Sequence, residues 1–219
     1  GAHLSMQRGF TLIELLVALA IMAVMATLGW RVLASMQTAV EINRQHADQV
    51  LTLDASLAQW GLDLDALVEL PLTRTLEWDG RALHLTRRSG STGSDGAIVV
   101  AWTRASRNGQ FQWLRWQSLP FTSREGWQAA WNEAHTWVQS SQDSLDRREV
   151  RVTALAEWQV FFYRTGAWGN PLSSTGADPA VNNSLPDGIR LVLTLPQGHP
   201  LMGPLVRDWA RSNSAGALQ

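Results

Sequence analysis

The chain has 219 residues and a formal net charge of −1, with 18 basic and 19 acidic residues, a balance that gives no reason to expect nucleic acid as a partner. Cysteine is absent, which excludes disulfides, thiolate metal sites and cysteine nucleophiles. Twelve tryptophans stand against one tyrosine; the ordinary reading is a Trp-rich core and partner surface, and the alternative is a sugar-binding platform.

Residues 1–5 precede Met6, either as part of a longer leader or as residues added in cloning. From Phe10 to Trp30 the sequence is apolar apart from one charge, Glu14. As a helix this stretch is roughly 30 Å long, the thickness of a bilayer's hydrocarbon core. Gly29 is its one weak point. Three readings compete. A secretory signal peptide would use Arg8 as its positive flank and Ala18-Leu19-Ala20 as its cleavage site, but the apolar run continues past that point. A plain anchor explains the length and leaves Glu14 as a cost of about 2.5–3.5 kcal/mol. The third reading gives Glu14 a positive partner on another chain. Arg8 and Arg31 flank the segment on both sides, so charge asymmetry does not set its orientation.

Beyond Trp30 the pattern predicts an amphipathic continuation. Met36, Val40, Ala47, Val50, Leu51 and Leu57 fall near one face, and Glu41, Arg44, Gln45 and Asp48 on others. A single helix from Phe10 to about Trp60 is roughly 75 Å long; two helices would need a break at Gly29. Strand signals follow. Residues 75–78 and 81–86 flank an Asp79-Gly80 turn, and a Ser/Gly-rich loop over 89–96 leads to the apolar run 97–102. An Asn108-Gly109 turn precedes 110–117, where Phe111, Trp113, Leu114 and Trp116 are expected to pack. Ser123 reads as the N-cap of a helix whose face carries Trp127, Trp131, Ala134 and Val138, a stripe read as core rather than ligand site. Residues 150–163 and 188–195 supply further strands. Between them, 166–187 is a Gly/Pro/Ser/Asn-rich loop, the best candidate for a mobile or partner-contacting segment. The predicted class is α+β: a long N-terminal transmembrane and amphipathic helix, then an antiparallel, mostly β head with one further helix.

Catalytic and metal signatures are sparse. His3, His46, His84, His135 and His199 are dispersed, with no pair at metal-helix spacing. There is no phosphate loop, nucleophile elbow or lipidation cysteine. Asp178, Asn182, Asn183 and Asp187 lack the spacing of a calcium loop and read as turn residues. Asp63 and Asp65 read as a solvated face. No enzyme activity, cofactor or metal is expected.

The contiguous run Arg8-Gly9-Phe10-Thr11-Leu12-Ile13-Glu14-Leu15-Leu16-Val17-Ala18-Leu19 resembles the cleavage and methylation motif of type IV pilins and type II secretion pseudopilins. The resemblance implies a leader over 1–9, with Gly9 its last residue and Phe10 the first mature, N-methylated one. It further implies that Glu14 attracts the Phe10 amine of a neighbouring subunit during assembly. Physically, an amine and a carboxylate that are each costly in lipid become tolerable as a pair. The domains that follow are a transmembrane and filament-core helix over 10–32, its amphipathic continuation over 33–61, and a periplasmic head over 62–219.

Scattered pieces of the head resemble the J-type minor pseudopilins of type II secretion (the GspJ/PulJ family). They are residues 60–65, 76–81, 113–116 and 186–193, with Arg207-Asp208-Trp209. This implies a single-pass inner-membrane protein at the tip of a periplasmic filament, helping to start assembly for protein export. The implied partners are the I-type and K-type minor pseudopilins, the major pseudopilin, the prepilin peptidase and the inner-membrane assembly platform. A minor pilin of a type IV pilus, serving adhesion, motility or DNA uptake, is the alternative. A secreted enzyme with an uncleaved anchor is a third reading, which needs a catalytic cluster.

Overall fold

The computed structural model describes residues 9–90, 96–140, 148–172 and 184–212. The chain divides into two units, Gly1–Asp48 and Gln49–Gln219. Helix α1 (Leu12–Asp65) supplies the described structure of the first and opens the second. It passes through Gly29 and Gly61 without a break and ends five residues beyond the expected Trp60. In the first unit its apolar side chains are exposed on all sides, as suits a helix that leaves its burial to lipid or other helices. Its hydroxyls are satisfied internally: Thr27, Ser35 and Thr38 donate to the carbonyls of Val24, Val32 and Ala34 at 2.8, 2.8 and 3.0 Å.

The second unit holds two antiparallel sheets. The first comprises β1 (Leu76–Trp78), β2 (Ala82–Arg88), β3 (Ala97–Arg107), β4 (Gln110–Gln117) and β5 (Glu149–Ala154), paired in chain order. Helix α2 (Arg124–Gln139) lies between β4 and β5 in sequence. The second sheet comprises β6 (Glu157–Arg164), β7 (Ala167–Gly169), β8 (Gly188–Thr194) and β9 (Pro204–Ala210), in the order β7-β6-β8-β9. What sequence suggests as one strand region over 150–163 is therefore split. Leu155 N–H still donates to Phe111 O of the first sheet, while Ala156 N–H donates to Thr194 O of the second.

The turns follow from backbone chemistry. Asn108 and Gly109 have φ of 52° and 76°, so both central residues of this two-residue hairpin are left-handed, as a type I′ turn requires. Thr165 and Gly166 make the same kind of turn, with φ of 50° and 84°, and so create β7. The composition of 166–187 reads as loop, and Thr165 gives no turn signal because a β-branched residue seldom adopts positive φ. Asp79 shapes the first hairpin with its side chain, Oδ1 accepting from the amides of Arg81 and Ala82 at 2.8 and 2.7 Å. Ser123 caps α2 as expected, its hydroxyl accepting from Gly126 N–H at 3.0 Å.

The first sheet is buried on both faces, which is why β3 opens on an uninterrupted apolar run. Ala82, Val99, Ala101, Leu114 and Trp116 pack against Trp127, Ala130, Trp131, Ala134, Trp137 and Val138 of α2. On the other face, Leu83, Leu85, Val100, Trp102 and Trp113 share a core with Leu53, Leu57, Trp60 and Leu64 of α1 and with Trp158, Ile189 and Leu191 of the second sheet. The α1 face that packs is thus 53-57-60-64. Of the face expected from sequence, Leu57 lies in it, whereas Met36, Val40 and Leu51 are exposed. Phe111 is also a correction: it is 52% exposed and carries the Arg104 guanidinium 3.8 Å above its ring.

Eight of the twelve tryptophans are buried, so the unusual count is mainly a packing solution. Trp60 is central, with ring centroids 5.5 Å from both Trp102 and Trp113 and 6.3 Å from Trp158. Such pairs contribute about 0.5–1.5 kcal/mol each beyond their burial.

The largest departure from sequence reasoning is Asp63, which is fully buried. Its Oδ1 accepts from Arg87 at 2.6 Å, Arg115 at 2.8 Å and Gln59 at 3.1 Å. Its Oδ2 accepts from Arg115 Nε at 2.7 Å and Trp102 Nε1 at 2.8 Å. One carboxylate on α1 therefore holds β2, β3 and β4. Asp65 is likewise engaged, accepting from Trp209 Nε1 of β9 at 2.8 Å. A second buried pair joins β3 to β5: Arg107 donates twice to Glu149, both at 2.9 Å, and Trp137 Nε1 donates to the same carboxylate at 2.8 Å.

Asp63→Ala strands two arginines in the interior and should lower unfolding free energy by about 3–5 kcal/mol. Asp65→Ala, which removes a single hydrogen bond, should cost about 1 kcal/mol. Denaturant titration followed by tryptophan fluorescence measures both; equal losses would contradict the assigned difference.

Candidate assembly site at the start of the first helix

The residues singled out from sequence, Gly9, Phe10 and Glu14, lie together at the N-terminus of α1. Gly9 precedes the helix, and a Cβ built there meets nothing within 4 Å. Among the described residues, none packs at this position in a way that demands glycine. Phe10 is exposed. Thr11 is the N-cap, and Glu14 stands three residues on. Thr11 N–H and Oγ1–H donate to Glu14 Oε2 at 3.0 and 2.9 Å, while Glu14 N–H donates to Thr11 Oγ1 at 3.4 Å. This reciprocal arrangement is a capping box. It satisfies amides that a helix start leaves unpaired, which matters most where water is scarce.

Sequence reasoning gave Glu14 only an intermolecular role and missed the local one, although the Thr-x-x-Glu spacing is the signature of the box. The two roles are compatible. One carboxylate oxygen holds the cap, and a carboxylate has further lone pairs for a charged donor. Among the described residues, α1 is the one helix long and apolar enough to cross a membrane, and Trp30 closes its apolar run where an interfacial aromatic would sit.

Residues 4–30 match the family described as the prokaryotic N-terminal methylation motif. This span contains Gly9, Phe10, Thr11 and Glu14. The N-terminal segment is thus prepilin-like, joined to an apolar helix suited to membrane anchoring and to association with other pilin-type subunits. The fold agrees with a pilin-like α+β architecture: the long apolar helix, antiparallel sheets and one further helix.

The other sequence candidates fare differently. Asp178, Asn182 and Asn183 lie outside the described residues. Asp187 is exposed, and its backbone extends the second sheet, with N–H donating to Tyr163 O and the carbonyl accepting from Arg211 N–H. Two of the dispersed histidines meet in space: His84 of β2 and His135 of α2 stack with centroids 3.9 Å apart and planes within 1°. Glu77, paired across β1–β2 with His84, places Oε1 3.0 Å from His135 Nε2. Burial pushes the His84 imidazole down to about 4, with His135 acting the same way and Asp79 and Glu77 opposing. No linear spacing signals this cluster, because its members come from two strands and a helix.

The capping box makes a local prediction. In a micelle-bound peptide spanning residues 9–31, Glu14→Gln should preserve the helix start, since glutamine also closes the box. Thr11→Val should fray the first turn, at a cost of about 1 kcal/mol. Amide exchange at residues 12–15 distinguishes the two outcomes.

Proposed function

We propose that this protein is a minor pseudopilin of the type II secretion system, a non-enzymatic subunit that helps initiate a periplasmic filament. The observation carrying this reading is the contiguous motif around Gly9, Phe10 and Glu14 at the head of a helix whose large apolar side chains from Phe10 to Val40 are exposed. Among the described residues nothing packs against Gly9, which fits a constraint imposed by a processing peptidase. On this reading cleavage exposes the Phe10 amine, methylation follows, and Glu14 of an adjacent subunit receives it. An unpaired charge in lipid disfavours every arrangement except the one that supplies its counterion, so pairing selects the register between subunits.

The J-type assignment and a place at the tip, beside I-type and K-type neighbours, rest on the resemblance of the head segments. The Trp-rich, doubly covered sheet supports a rigid scaffold role for the head. Anchoring in the inner membrane with the head in the periplasm follows from the same reading.

Mass spectrometry of the membrane-extracted protein should find an N-methylated Phe10 as first residue. Replacing Gly9 by a bulky residue should accumulate uncut precursor, and normal processing of that variant would refute the junction. Glu14→Ala and Glu14→Gln should both be processed yet fail to crosslink into filaments. Normal incorporation of Glu14→Gln alone would mean that capping, rather than charge pairing, is what assembly needs. Copurification with I-type and K-type pseudopilins, as against pilus subunits, tests the choice of system.

A further inference from the structure

We propose that Glu77, His84 and His135 form a Zn²⁺ site that clips α2 to the β1–β2 hairpin. Their ligand atoms all lie within 4.8 Å of one another. His84 is fully buried, and neither of its ring nitrogens has a hydrogen-bond partner. A buried imidazole with an unused lone pair is costly in a core unless something accepts that lone pair.

His135 is arranged as a metal ligand is. Its Nδ1–H donates to the Trp131 carbonyl at 2.9 Å, which fixes the tautomer and leaves the Nε2 lone pair directed at Glu77. With the ring neutral, Nε2 and Glu77 Oε1 are two acceptors 3.0 Å apart, a contact relieved either by a proton on Nε2 or by a metal cation between them. Glu77 is held from behind, its Oε2 engaged by Arg74, so Oε1 is the oxygen left for an ion. The hairpin register sets Glu77 directly opposite His84, which places both on the face that α2 covers.

The donor set selects the ion. Two imidazoles and one carboxylate suit Zn²⁺, whereas Ca²⁺ and Mg²⁺ prefer oxygen ligands alone. Bonds of about 2.0–2.1 Å in a tetrahedron hold ligands about 3.3 Å apart. Reaching that spacing requires the stacked rings to turn toward a common point. Glu77 sits on the three-residue edge strand β1, and its partner Arg74 is an exposed, flexible side chain that can move with it. His135 and Glu77 are both half-buried, which gives the ion a route in and leaves a fourth position for water.

The test uses the full-length protein in detergent, stripped with a chelator and then titrated with Zn²⁺ or Mg²⁺. Native mass spectrometry should find one Zn²⁺ per chain, and the melting temperature should rise with Zn²⁺ but not with Mg²⁺. Glu77→Gln and His135→Ala should weaken binding by a factor on the order of 10–100 or more, with circular dichroism unchanged in the absence of metal. Both are preferred to His84 variants, which disturb the core. Should His135→Ala fold poorly, Glu77→Gln on the edge strand carries the comparison. No Zn²⁺ retained by the parent, equal retention by Glu77→Gln, or an equal response to Mg²⁺ would overturn the site and leave a His135–Glu77 hydrogen bond beneath a stacked His84.

Discussion

A buried carboxylate is tolerated only where enough donors converge on it, and Asp63 meets that condition with five hydrogen bonds from four residues. Those donors are Gln59 on the same helix, Arg87 on β2, Trp102 on β3 and Arg115 on β4. The requirement is mutual. Arg115 is also nearly inaccessible, so neither charge can be left alone without a desolvation penalty. Non-polar packing can slide, but a bidentate guanidinium–carboxylate pair has one geometry. Asp63 therefore fixes the register of the last turns of α1 on the first sheet.

The tryptophans follow from that placement. Trp60 lies one turn before Asp63 and so points into the same interior, where it meets Trp102, Trp113 and Trp158. Trp102 serves both arrangements, its ring packing in the aromatic cluster and its N–H reaching the carboxylate. On the opposite face of the sheet, Trp127, Trp131 and Trp137 perform the same task for α2. The N-terminal unit shows the contrary situation. There the large apolar side chains of the helix from Phe10 to Val40 are exposed, and Glu14, the one charge between Phe10 and Trp30, is engaged by a cap at Thr11. A helix so constituted is completed from outside, by lipid or by other subunits.

Local chemistry made much of the fold readable. Asn108-Gly109 can hardly be anything except a tight hairpin, and Ser123 before a tryptophan stripe at helical spacing reads as an N-cap and a buried face. Strands β7 and β9 were not anticipated for equally physical reasons. The first depends on Thr165 at positive φ. The second begins at a proline and alternates weakly, because it is an edge strand fastened by the Arg190–Asp208 pair at 2.7 Å rather than by deep burial. Leu51 and Leu57 lie at opposite edges of the apolar stripe, about 120° apart in a helical projection, and only Leu57 faces the sheets; periodicity shows that a face exists without saying where the sheets will meet it. The candidate assembly site was legible residue by residue, since Gly9, Phe10 and Glu14 lie within six positions.

Sequence alone was sufficient for what depends on neighbours along the chain: the motif from Gly9 to Glu14, the apolar helix that follows, the tight turns and the α+β class. Tertiary structure alone decided the fate of groups whose partners are distant. Asp63 and Asp65 carry the same side chain two residues apart, and nothing local distinguishes a fully buried hub from a single bond to Trp209. His84 and His135 are separated by 51 positions, and only the packing of α2 on β2 sets their rings in contact. A side chain's charge and size are written in the sequence, but the dielectric around it and the partners within reach come from the fold.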